Sequence, residues 1–178
     1  MTDPAFAVPA DLSFQEAIAL TQSLLSQWEE NSLTDTEIEA TIAALVKTQE
    51  GARGFFVTYL TSDRPLADQP TPAVLAALRT APDGVSDLLV KNLAMSAAMA
   101  VAHRRNQNEE MAQGSRQVQH RTIGLIRQLQ LPGIRSLLEQ LQQSVTQQRG
   151  DYQAFLQRWQ YDAEQRDAIQ QAVHRAIA

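Results

Sequence analysis

The chain has 178 residues, 44% apolar and 20% charged, with a formal net charge of −5. This is the composition of an ordinary globular protein, which excludes a disordered or collagen-like chain, and at this size one domain can bury about 70% of its unfolded surface. Cysteine is absent, so disulfides and thiolate metal sites are excluded and the fold must rest on packing.

Residues 1–12 contain Pro4 and Pro9 without any periodicity and read as a flexible tail. The same stretch carries acids and lacks the basic and apolar regions of a secretory signal, so a cytoplasmic location is expected. Ser13 and Glu16 then form a capping box, and Phe14, Ile18, Thr21, Leu24, Leu25 and Trp28 recur on one helical face. A second box, Thr34 with Glu37, starts another helix, flanked by Leu33 and Ile38 as a hydrophobic staple. Its period runs through Ile42, Leu45, Val46, Ala52 and Phe56 to about Leu60. Gly51 and Gly54 each cost roughly 1 kcal/mol within it. The alternative for Phe55–Leu60 is a strand, favoured by its aromatic and β-branched residues. No second strand candidate exists to pair with it, so helix is preferred.

Residues 61–72 hold three prolines and form a loop, followed by a short helix over Ala73–Arg79 and a turn at Ala81–Gly84. From Val85 to Ala102 the sequence VSDLLVKNLAMSAAMAVA has almost no polar face, which belongs in the middle of a helical bundle. Its longest apolar run, Leu93–Ala102, spans ten residues, short of the roughly 20 a membrane crossing needs. No membrane span is expected. This central helix is placed at about 85–106; nothing in the polar octet after Ala102 breaks a helix, so a continuation as far as Gly114 stays open. Val118, Thr122, Leu125, Ile126 and Leu129 make the next stripe. Ile134, Leu137, Leu138, Leu141 and Val145 then form a narrow seam ended by Gly150. Such a seam suits an internal helix or a homodimer contact, with internal packing favoured. Residues 151–177 read as one helix or two, with Phe155, Trp159, Ile169 and Val173 on the inner face; Asp162 and Gln165 offer an internal capping box. The expected architecture is an all-α single-domain bundle of six or seven helices over residues 13–178, without a solenoid repeat.

Charge is unevenly placed. Residues 1–50 hold nine acids against Lys47, and 103–158 hold eight arginines against four acids. The overall acidity and the glutamine dilution of the basic stretch argue against nucleic acid as a partner. Residues 107–178 contain 17 glutamines, good helix formers that give a polar face little self-repulsion.

Motifs of catalysis are missing. There is no Glu-x-x-His of a bundle di-metal site, no Gly-x-Ser-x-Gly elbow and no phosphate loop. His103, His120 and His174 lack ligand-like neighbours. No metal or cofactor is expected, and an enzyme is the less favoured class.

These readings leave two functions. The first is a helical protein that binds another protein as an adaptor, assembly factor or regulatory subunit. Its candidate contacts are Phe55, Phe56 and Tyr59, because FFVTYL carries apolar groups on more than one face, with Arg104 and Arg105 facing an acidic partner. The second is a small-molecule-binding or enzymatic bundle, with Arg64 in its loop and Met95, Met99 and the Phe55–Tyr59 aromatics lining a pocket. For Arg64 itself, a pair with a nearby carboxylate is the better expectation.

Overall fold

A computed structural model describes residues 5–178; residues 1–4 of the expected tail lie outside the described residues. From Ala5 onward the tail is non-helical but tied down. The Ala5 amide donates to Thr41 Oγ1 at 3.0 Å, and Leu12 is buried. Among the described residues the fold is all-helical, with nine α-helices, one 3-10 turn and no strand. The chain divides into two compact units, one ending at Leu88 and the other starting at Leu89, with the division inside a continuous helix.

The first unit contains α1 (Phe14–Glu29), α2 (Asp35–Leu45), α3 (Gln49–Thr61), a 3-10 turn at Pro65–Ala67, α4 (Pro72–Leu78) and the start of α5 (Pro82–Arg105). Both expected capping boxes form. Glu16 N–H donates to Ser13 Oγ while Ser13 N–H donates to Glu16, and Thr34 and Glu37 exchange the same pair of bonds. The hydroxyl and amide of Ser13 hold the Glu16 carboxyl below its ordinary pKa; for Glu37 the Thr34 amide and then its hydroxyl do the same.

The helix expected over 35–60 is two helices. α2 ends at Leu45, and Thr48 caps α3 by accepting from the Gly51 amide at 3.0 Å. Glycine makes the junction passable, because a Cβ on Gly51 would stand 2.1 Å from the Leu45 carbonyl oxygen. Gly54 serves a second close approach, in which its missing Cβ would lie 2.4 Å from Ala17 Cβ where α1 packs on α3. Residues 55–60 are helical. The expected turn at 81–84 is instead the first turn of α5. Pro82 occupies the first helical position, where its missing amide costs nothing, and Val85 N–H donates to Ala81 C=O at 3.0 Å.

The second unit contains the rest of α5, then α6 (Glu109–Leu129), α7 (Ile134–Gln147), α8 (Gln153–Trp159) and α9 (Ala163–Ile177). By length and composition α5 could cross a membrane, but 56% of its most apolar window is buried in the fold, which accounts for its composition without a bilayer. It does not run on towards Gly114. Gln107 turns left-handed (φ 56°), Asn108 N–H donates back to His103 C=O at 2.9 Å, and the Asn108 side chain caps α6. Gly114 lies inside α6, where an added Cβ would meet nothing. Ile134, Leu138, Leu141 and Val145 of the seam are buried and α7 packs against α9, so that seam is used within the unit. The 151–177 segment breaks at Gln160, and Asp162 and Gln165 form the anticipated capping box.

Candidate functional site

The aromatic candidates do not reach the surface. Phe55, Phe56 and Tyr59 are 0%, 1% and 0% exposed. Phe55 stacks on Tyr59 with centroids 5.1 Å apart and meets Phe56 edge-on at 5.4 Å, and the Tyr59 hydroxyl donates to Leu66 C=O at 3.0 Å. They are core, because all three lie on the broad buried face of α3 with Ala52 and Leu60, which leaves Val57 as the exposed apolar residue of FFVTYL.

Arg64 takes the structural role expected for it. Its Nε donates to Glu29 at 2.5 Å and an Nη to Ser26 Oγ at 3.0 Å, tying the loop to the end of α1. A cleft of about 370 Å³ lies beside it, lined by α1, α3 and residues 61–64. Met95, Met99 and the three aromatics do not line this cleft, so the pocket they were expected to form with Arg64 is not the one present. Arg104 and Arg105 are not free for an acidic partner. Arg105 is forked between Asp162 and Glu164, and Arg104 donates to Glu164 at 2.8 Å. Among the described residues no group of His, Asp and Glu is placed to hold a metal ion.

The arginine fork organises a different surface. α8 stops because Gln160 is left-handed (φ 50°), and the chain then turns Tyr161 inward. Tyr161 meets Phe155 edge-on at 6.4 Å, its carbonyl accepts from Arg166 Nε at 2.9 Å, and burial pushes its phenol up to about 12. With Tyr161 turned in, Trp159 is left outside at 47% exposure. Asp162 begins α9 and bonds to Arg105, while Gln165 Nε2 donates to Ala98 C=O at 3.2 Å. The segment following Trp159 is therefore fastened along the last two turns of α5, where Met99 is 38% exposed, while Met95 lies one turn further back and is half-buried. Met111, in the first turn of α6, is 51% exposed.

The sequence reading, with 151–177 open as one helix or two, places Trp159 on the inner face. The Asp162–Gln165 capping box marks the break: α8 ends at Trp159, and Tyr161 in the break is buried while Trp159 is not. Met111 has no comparable signal.

A family model described as Uncharacterised conserved protein UCP020893 matches residues 13–176. The chain belongs to that family. Its span opens on Ser13, the cap of α1, and reaches the last turn of α9, so the family is defined across both compact units. No curated protein and no solved structure matches the chain.

Proposed function

We propose that this protein acts by binding another protein, and that the contact centres on Trp159, with the exposed Met99 and Met111 of the same unit as further candidate contacts. The observation that carries the reading is Trp159, half-exposed on a turn held in place by Gln160, Tyr161 and the Asp162–Arg105 bonds. Tryptophan and methionine are enriched in the buried centres of protein interfaces, and tryptophan dominates their binding hot spots. The backbone that presents Trp159 is already fixed by its neighbours, so binding pays little to order that segment. Arg104, Arg105, Asp162 and Glu164 satisfy one another, so the charges beside the tryptophan call for a polar rim rather than a strongly acidic or basic partner.

The test is quantitative affinity capture from the native cell with the wild-type chain and Trp159→Asp, each checked for unchanged helical circular dichroism. Capture of a defined protein by the wild type, reduced at least tenfold by the substitution, supports the reading. Equal capture by both chains overturns it. Phe56 is unsuitable for such a substitution, because a charge at this 1% exposed position would be buried without a partner and would cost folding stability whatever it did to binding.

A further inference from the structure

We infer that the cleft beside Arg64 binds a primary aliphatic amine, recognised as an ammonium group on a short methylene chain. The first unit has thirteen carboxylates against four lysines and arginines, so the unit as a whole attracts cations. Arg64 is the one cationic residue in its lining, and that guanidinium is already engaged by Glu29 and Ser26. Next to it Asp63 is exposed, and its carboxylate has no hydrogen-bond or ion-pair partner among the described residues.

Two threonines of the lining also act as acceptors, and the Gln22 amide supplies a further oxygen beside its N–H donors. Thr58 and Thr61 donate their hydroxyl protons back to the Gly54 and Val57 carbonyls at 2.8 and 2.6 Å, which leaves oxygen lone pairs for a ligand. α3 ends at Thr61, so the negative end of its dipole faces this region. An anion would meet the Asp63 carboxylate and that helix end, whereas an ammonium ion finds one charge partner and several acceptors. Ile18, Leu25 and Val57 give the methylenes an apolar wall, and about 370 Å³ accommodates a chain of a few carbons. The site belongs to the first unit and stands or falls independently of the Trp159 surface.

The same chemistry is carried by a free diamine and by a lysine side chain of a partner, and the probes separate them. Amide-resolved NMR titrations at low salt with putrescine, with N-acetyl-lysine methylamide and with sulfate are made on the wild type, Asp63→Asn and Val57→Lys. Asp83→Asn, at an exposed acid on the first turn of α5, reports general charge attraction. The inference expects either amine to shift the amides of Ile18, Val57, Thr58 and Asp63, while sulfate leaves them in place. It further expects at least tenfold weaker binding in Asp63→Asn, loss in Val57→Lys and no change in Asp83→Asn. Tighter binding of putrescine points to a free amine, and tighter binding of the lysine analogue to a partner's side chain. Silence of those amides towards both amines, or equal weakening by Asp63→Asn and Asp83→Asn, overturns the inference.

Discussion

Asp162 caps α9 through the Gln165 amide and receives Arg105 on its carboxylate. The Arg105 hydrogen bonds, and after them the Gln165 amide, hold its carboxyl at about 2 against an ordinary 3.8. A folded-state pKa below the unfolded one means that its contribution is fully present above 3.8 and is lost as pH falls through about 2. Asp162→Asn keeps a capping side chain but removes this titration. Acid unfolding followed by circular dichroism should therefore be less steep between pH 3.8 and 2 in the variant than in the wild type. Equal slopes would show that Arg105 gives Asp162 no advantage in the folded state. Gly54 is the other residue with a sharp consequence. Alanine ordinarily strengthens a helix, yet here its methyl would overlap Ala17, and overpacking of this kind costs about 1–3 kcal/mol. Urea denaturation should show Gly54→Ala less stable than the wild type. A gain in stability would mean that α1 and α3 are not packed at this distance.

Four helices, α5 to α8, end on a left-handed glutamine: Gln107, Gln130, Gln148 and Gln160. Glycine or asparagine normally fills such positions, and the left-handed conformation costs other residues roughly 1–2 kcal/mol. Gln107→Gly should accordingly raise thermal stability by about 1 kcal/mol, whereas Gln117→Gly, inside α6, should lower it by a similar amount. Scanning calorimetry of the two variants decides the matter, and a destabilised Gln107→Gly would contradict the cap assigned to it. These glutamines also explain which parts of the fold were legible. Helix starts are announced by Ser13–Glu16, Thr34–Glu37 and Asp162–Gln165, because a cap needs a specific oxygen at a specific spacing. Stops written in glutamine look like helix, so the end of α5 near 106 is suggested by the change from apolar to polar sequence and not by a stop residue. Glycine misleads in the opposite direction, since Gly114 sits within a helix while Gly51 and Gly54 mark close approaches. The all-α class, the apolar α5 and the bond-making role of Arg64 follow from composition and period. Burial of the FFVTYL rings and exposure of Trp159 are set by which neighbours pack on each helix, which periodicity along one chain segment does not report.

At the scale of the whole molecule the charge divides with the fold. The unit ending at Leu88 has a net charge of −9, and the unit from Leu89 has +4. The acidic unit holds the cleft suited to a cation, while the basic unit holds the exposed tryptophan beside an internally neutralised arginine pair. One family model spans both, so the pairing of these two units in one chain characterises the family as well as this protein. The proposed work of the molecule is performed at Trp159, and a photoreactive phenylalanine derivative placed there reads the surface directly. On irradiation in the native cell, position 159 should give a discrete adduct with one protein, and the same residue at exposed His120 on α6 should not. No adduct from position 159, or the same adducts from both positions, would contradict a partner-binding surface at this turn.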